Sequence, residues 1–279
     1  MAYLGPAATF SHEAALKKFG ESAPVVDYIA VKTIADVFQT VEQEQAHFGI
    51  VPVENSIEGA VTYTLDMFNR SDLKIIGELE LPIRQNLMVT PTSSDDLHEI
   101  RVVYSHPQSL GQCRGWLQEN LKWAERQEVS SNVLAVEMAN QNPHAAAIGG
   151  RLAAEKYGMR IIRYDLQDAD FNSTRFLALG RDYAPRLAPD QRGTECTALL
   201  VSIKDRVGAL HAVTNIMLKY DLNMTRIESR PSKQKAWDYL FYIEVTGHPQ
   251  DNSLGQALAE LEAETMWVKV LGAWSRWVN

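Results

Sequence analysis

Short apolar runs alternate along this chain with polar turns and amphipathic stretches, and three such units share one plan. Tyr3-Leu4 leads into Gly5-Pro6-Ala7-Ala8-Thr9-Phe10-Ser11, Ile50-Val51 into Pro52-Val53-Glu54-Asn55-Ser56, and Val102-Val103-Tyr104 into Ser105-His106-Pro107-Gln108. Each reads as a strand, a polar turn and the start of a helix. The spacing predicts a helix over 11–19, with Ala15, Leu16 and Phe19 on one face, and another over 56–68 that buries Val61, Leu65 and Phe68. A third follows Pro107, a residue suited to the first helical position, with Leu110, Cys113 or Arg114, Leu117 and Leu121 as its stripe. Ala145-Ala146-Ala147-Ile148 and Gly149-Gly150 predict a further strand and turn before a helix reaching Tyr157. The run Leu87-Met88-Val89 after Gln85-Asn86 predicts a strand passing between two lobes. Strands alternating with helices imply a parallel sheet.

The same meeting of a polar turn and an apolar run recurs later in the chain. Asn172-Ser173-Thr174-Arg175 stands at the head of the apolar run Phe176-Leu177-Ala178-Leu179. A buried strand has little use for an amide, hydroxyls and a guanidinium at its entrance unless they face something polar. Repeated polar turns at strand ends point to a cleft that holds a small polar molecule.

Residues 180–193 hold two prolines, two glycines and five charges without a sustained period, and they read as a linker. Beyond it the pattern gives a strand over 197–203, a helix over 207–220, strands over 223–229 and 236–245, a helix over 253–263 and a strand over 267–273. That βαββαβ order is the ferredoxin-like arrangement. The predicted domains are 1–180, a linker over 181–196 and 197–273, each domain with a core of its own.

A chain of 279 residues is comfortable for two or three compact units. A formal net charge of −8 argues against nucleic acid or an anionic membrane surface as partner. Cys113 and Cys196 lie far apart without metal-ligand spacing, as do the seven histidines. Ser11-His12 and Ser105-His106 are adjacent pairs rather than triads, and no Gly-x-Ser-x-Gly elbow supports hydrolase chemistry. Gly149-Gly150 lacks the further glycines or lysine of a nucleotide-binding loop. Met1-Ala2-Tyr3-Leu4 enters a strand with no signal-peptide pattern, and no apolar run reaches membrane-spanning length. The expectation is a soluble cytoplasmic protein.

In order, Gly5-Pro6-Ala7-Ala8-Thr9-Phe10-Ser11, Pro52 to Ser56, Ser105 to Gln108 and Thr174-Arg175-Phe176 resemble the prephenate dehydratase family. Gly208-Ala209-Leu210-His211 and Glu228-Ser229-Arg230-Pro231 resemble the two ligand motifs of its regulatory ACT domain. The resemblance implies an α/β fold, with a two-lobed catalytic domain like the type II periplasmic binding proteins followed by a ferredoxin-like ACT domain. It implies decarboxylating dehydration of prephenate to phenylpyruvate, inhibition by phenylalanine, a homodimer or homotetramer, and no cofactor or metal. Ala8 stands where the family has glycine, and 136–142 replaces a Ser-Thr-Ala-rich segment. Arogenate as substrate, or a non-catalytic amino-acid sensor, are the alternatives.

Such an enzyme must grip a dianion and help hydroxide leave. Thr174 is the candidate for hydrogen-bonding the departing oxygen, and Arg175 offers a fork of donors for a carboxylate. Adjacent strand residues point to opposite faces, so these two share a cleft only if the backbone twists at Asn172-Ser173. The other candidate substrate contacts are Thr9, Ser11, Glu54, Asn55, Ser56, Ser105, His106, Asn172 and Phe176. Asn55 or Ser56 also fits a helix N-cap, and His106 serves either a carboxylate or the fold. Helix N-termini at the strand ends would add positive dipole ends. Gly208, Ala209, Leu210, His211, Asn223, Glu228, Ser229, Arg230 and Pro231 are the candidate phenylalanine contacts.

Overall fold

The structure is a computed structural model that describes residues 1–20, 27–188, 193–233 and 239–276; Pro189 and the predicted strand start at 236–238 lie outside them. The first lobe comprises β1 (Ala2–Leu4), α1 (Phe10–Phe19), β2 (Ile29–Val31), α2 (Ile34–Glu42), β3 (Gly49–Asn55), β4 (Gly59–Ala60), α3 (Thr62–Phe68) and β5 (Lys74–Pro82). The second comprises β6 (Asn86–Val89), β7 (Val102–Ser105), α4 (Pro107–Gln112), α5 (Arg114–Asn120), β8 (Glu125–Glu128), α6 (Asn132–Ala139), β9 (Ala145–Gly149), α7 (Arg151–Tyr157) and β10 (Arg160–Arg163). The chain returns to the first lobe as β11 (Ser173–Gly180). Hydrogen bonds from Gln85 N–H to Gln167 Oε1 (2.9 Å) and from Ile83 N–H to Asn172 O (2.8 Å) tie the two crossing segments together.

The C-terminal domain comprises β12 (Thr194–Ser202), α8 (Ala209–Lys219), β13 (Met224–Pro231), β14 (Tyr239–Thr246), α9 (Asn252–Glu264) and β15 (Trp267–Arg276). Its antiparallel sheet has the order β13-β14-β12-β15. The sheet then continues through β15 and β5 into the first lobe, as β5-β11-β3-β1-β2, while the second lobe has its own sheet, β10-β6-β9-β7-β8.

Two predicted helices change at their ends. The Asn55 Oδ1 accepts the N–H groups of Ile57 and Glu58 (both 3.0 Å), Gly59 takes φ +83°, and β4 folds back onto β3. The polar turn therefore closes a hairpin, and the helix begins only at Thr62. Asn55 caps a turn rather than a helix. The helix after Pro107 breaks at Cys113, although Cys113, Leu117 and Leu121 still form a fully buried stripe.

The C-terminal domain has a core of its own, and it shares a second one with the first lobe. Along β12, Leu199 and Val201 pack beneath α8 and α9, while Cys196, Ala198 and Leu200 join Phe38, Leu65, Phe68 and Ile75 of the first lobe. Side chains alternate across a strand, so a run that is apolar on both faces needs cover on both. The helices supply one cover and the first lobe the other.

Where the sheets meet, Gly272 pairs with Ile75 so closely that a Cβ on Gly272 would lie 2.1 Å from the Ile75 carbonyl oxygen. Gly272→Ala should therefore push the domains apart and cost about 1–3 kcal/mol, the scale of overpacking. Thermal unfolding checks this, and an unchanged melting temperature would contradict the contact.

Candidate active site

Between the lobes lies a cleft enclosing about 270 Å³. From the first lobe it is lined by Thr9, Phe10, Ser11, Asn55, Thr174 and Phe176, and from the second by His106, Ser109, Ser131, Asn132 and Gly150, with Ile83 and Gln85 at the crossing. Among the described residues lining it there is no Asp, Glu, Lys or Arg. The cleft meets a ligand with hydroxyls, amides, backbone groups and the His106 imidazole.

Two hydroxyls are oriented by the same device. Asn55 has its carbonyl oxygen occupied by backbone N–H groups, so its amide nitrogen faces the other way and donates to Thr174 Oγ1 at 3.0 Å. Asn132 Oδ1 accepts from His106 N–H (3.1 Å) and Ser105 Oγ (2.9 Å), and its amide nitrogen donates to Ser109 Oγ at 2.9 Å. A hydroxyl that accepts from an amide keeps its own proton for another partner. Thr174 and Ser109 can therefore donate into the cleft from opposite lobes.

The same cleft receives the starts of α1, α4, α6 and α7 through Thr9, His106, Ser131 and Gly150. Thr9, His106 and Ser131 each accept a backbone N–H in the first turn of their helices. Each helix start carries a partial positive charge, together offsetting the negative average field of the chain. His106 Nδ1 accepts from Gln108 N–H (3.3 Å), so Nε2 is the ring nitrogen left to meet a ligand. Ala8 adopts φ +75° and is held there by its N–H donating to His12 Nδ1 (3.0 Å), so the loop keeps a glycine-like shape without glycine. Burial, with Lys156 nearby, lowers the His12 pKa. Burial pushes the thiols of Cys113 and Cys196 up to about 12. Among the described residues no acidic, histidine or cysteine cluster could hold a metal.

Arg175 is not in the cleft. It is the neighbour of Thr174 on a strand, and its side chain leaves by the opposite face. There it donates to Glu54 (3.2 Å), Glu78 (2.8 Å) and Glu244 (3.0 and 3.1 Å). Burial works against the Arg175 charge, yet Glu244 and Glu78 raise its pKa. Burial likewise opposes ionisation of Glu78, but the hydrogen bond from Arg276 and the charge of Arg175 hold its pKa below the usual carboxylate value. Glu54 belongs to this cluster, not to the cleft.

Three more expected contacts stand outside the lining, Ser105 and Asn172 buried behind it and Ser56 exposed on the hairpin turn. Ser105 is fully buried and donates to Asn132 and Ile148 O. Asn172 accepts from the Asn55 amide at 2.9 Å, and Ser56 hydrogen-bonds Phe171 O and Ser173 N–H. Ser109, Ser131, Asn132 and Gln85 escaped the sequence reading. Their available signal was Ser130-Ser131-Asn132 before the apolar run at Val133, a cap pattern that follows β8 in the structure.

In the C-terminal domain Gly208 takes φ +81° at the start of α8, with Ala209, Leu210 and His211 in its first turn. Asn223 precedes β13, whose residues Glu228 to Pro231 lie on a strand that, among the described residues, pairs with β14 alone. Arg230 is paired with Asp66 of α3 (3.0 and 3.2 Å) and lines a cavity of about 70 Å³ that Gly208 to His211 do not reach. Within one chain these two motifs do not share that cavity.

Two lobes about a neutral cleft, with a ferredoxin-like domain docked behind them, define a catalytic domain of the type II binding-protein kind joined to an ACT domain. The prephenate dehydratase family matches residues 1–184 and the ACT domain family residues 197–263. A bifunctional chorismate mutase/prephenate dehydratase of Aquifex aeolicus is 44% identical over 277 residues, covering 99% of this chain and 73% of that protein. A prephenate dehydratase of Bacillus subtilis is 32% identical over 279 residues, covering 98% and 97%. The crystal structure of prephenate dehydratase in complex with L-Phe from Arthrobacter aurescens superimposes with a TM-score of 0.86 at 30% identity, covering 99% of this chain and 89% of that one. The chain belongs to the prephenate dehydratase family.

Asn55→Asp should break the arrangement at its centre, because a carboxylate cannot donate to Asn172 Oδ1, Ser173 O and Thr174 Oγ1 as the amide does. The expected loss is about 1–3 kcal/mol of stability, the scale for leaving a buried group unsatisfied. Chemical denaturation of the variant measures it, and wild-type stability would mean that the amide is not the donor.

Proposed function

We propose that the cleft converts prephenate to phenylpyruvate, with Thr174 at the leaving hydroxyl and helix ends, rather than Arg175, at the carboxylates. The reaction breaks the bond to the ring carboxylate, passes its electron pair through the ring and expels the ring hydroxyl. One proton taken up by the leaving oxygen gives carbon dioxide, water and phenylpyruvate. Thr174 donates its hydrogen bond as negative charge builds on that oxygen. Ser109, His106 and the first turns of α1 and α6 hold carboxylate oxygens, with Thr9 and Ser11 beside them. Phe176, Phe10 and Ile83 supply the apolar wall against which the ring becomes planar.

The observation that carries this reading is the pair of amide-oriented hydroxyls in a cleft without charged lining. It also favours prephenate over arogenate. An ammonium group on the substrate would find no carboxylate in the described lining and would face the positive ends of helices. A non-catalytic sensor would have no need for a hydroxyl proton held free for a ligand. The decisive assay is phenylpyruvate absorbance from prephenate against arogenate, with and without phenylalanine. Turnover of prephenate that phenylalanine suppresses supports the reading, and turnover of arogenate alone overturns it.

Phenylalanine acts, in this reading, at the ACT domain of a homodimer or homotetramer. The free edge of β13 pairs with a second copy and brings the first turn of α8 beside the partner's effector strand. The N–H groups after Gly208 meet the effector carboxylate, and Asn223 and Glu228 its ammonium group. The remaining motif residues, Ser229 to Pro231, close the site. Two buried free thiols fit the reducing cytoplasm, and no described helix is long and apolar enough to cross a membrane.

Thr174→Ala should lower kcat on the order of 10²-fold, as for loss of one donor to a developing anion, with KM little changed. Thr174→Ser should recover most of it. Near-normal kcat in the alanine variant would remove Thr174 from the mechanism.

Gly208→Val, forced into a left-handed conformation at φ +81°, and Glu228→Ala should each abolish inhibition by phenylalanine. Equilibrium dialysis tests the cause. Tight phenylalanine binding by both variants would place the effector elsewhere.

A further inference from the structure

Behind the cleft, both domains contribute to one cluster of charges. Glu244 of β14 has a side chain only 1% exposed. Its oxygens accept from Arg175 of β11 (3.0 and 3.1 Å), from Arg276 of β15 (3.0 Å) and from the Tyr242 hydroxyl (3.0 Å). A carboxylate this deeply buried is retained only where charge partners and hydrogen bonds offset its lost hydration. Among those partners, Arg175 is the one on a strand that lines the cleft. It stands between Thr174 and Phe176, which both face the substrate space.

The strand register gives this contact its reach. In the pairing of β11 with β3, Thr174 is opposite Asn55 and Arg175 is opposite Glu54. On the cleft face the pair is joined by the amide–hydroxyl hydrogen bond, and on the back by the ion pair between Arg175 and Glu54. A rotation of β11 about its axis moves both faces together. Arg226 of the effector strand enters the same cluster, 3.3 Å from Glu54 and 3.8 Å from Glu228, with its guanidinium over the Tyr242 ring.

We propose that Glu244 is a positioning residue for the dehydration: by holding Arg175 against the back of β11 it fixes the Thr174 hydroxyl toward the departing oxygen. The ACT domain thereby completes the catalytic geometry across the domain boundary. Arg226 extends the same cluster to the strand that carries the effector motif. Glu244 touches no substrate and belongs to neither resemblance motif.

The inference rests on the dehydratase reading, and the wild-type rate with prephenate tests that reading separately. Glu244→Gln in the full chain keeps the shape and removes the charge. Its kcat should fall about tenfold or more, with KM for prephenate within about twofold. Placed in the Thr174→Ala background, the same change should alter the residual kcat less than about twofold, because the group it positions is gone. A merely structural role predicts equal proportional losses in both backgrounds, and that result, or a wild-type kcat, overturns the proposal. Should Glu244→Gln not fold, Tyr242→Phe removes just one hydrogen bond to Glu244 and decides the matter. A lower kcat at constant KM, absent when Thr174 is alanine, supports the proposal, and an unchanged kcat rejects it.

Discussion

Strand β11 shows the cleft a hydroxyl at Thr174 and shows the ACT domain a guanidinium at Arg175, because successive residues of a strand point to opposite faces. Most of the arrangement around it follows from this alternation. Asn55 and Glu54, opposite them in β3, repeat the division of faces. The amide side serves a ligand and the charged side serves the neighbouring domain. An Arg-for-carboxylate grip within the cleft would need a twist between adjacent residues that the pairing of Thr174 with Asn55 and of Arg175 with Glu54 does not contain.

The two faces also separate two kinds of electrostatics. The cleft is lined by hydroxyls, amides and helix ends, donors that can take an anion without a charged side chain that itself must be kept hydrated or paired. The back uses Arg175, Arg226 and Arg276 against Glu54, Glu78 and Glu244 in a low-exposure setting. Such clusters add little net stability, since the desolvation of each charge consumes most of the attraction, but a missing partner is costly. Their worth lies in permitting one relative placement of the domains. The apolar contact of Leu200, Leu240 and Tyr242 with Phe38 and Phe68 supplies the attraction, and the charges supply the register.

Regulation inherits this geometry. β13 carries the motif proposed for the effector, sends Arg226 into the cluster and holds Arg230 against Asp66 of α3. An effector bound at that strand would have two charged connections to the catalytic domain, through Arg226 and Arg230.

Much of this was legible in the order of residues. Apolar runs with period-two and helical spacing determine the α/β units and the βαββαβ domain, because burial of those faces is local to each element. The polar turn at Thr9 to Ser11, the strand at Phe176 to Leu179, and the hydroxyl at Thr174 are properties of short segments. Tertiary structure alone decided where side chains go once strands pair. It turned the predicted helix start at Ser56 into a hairpin, because Asn55 found backbone donors at Ile57 and Glu58. It added a core shared by the two domains, because β12 is apolar on both faces and the first lobe covers the face that α8 and α9 do not. And it sent Arg175 away from the cleft to Glu244, a partner 69 residues away in sequence, since a charge settles where folding places its counter-charge and no local pattern records that position.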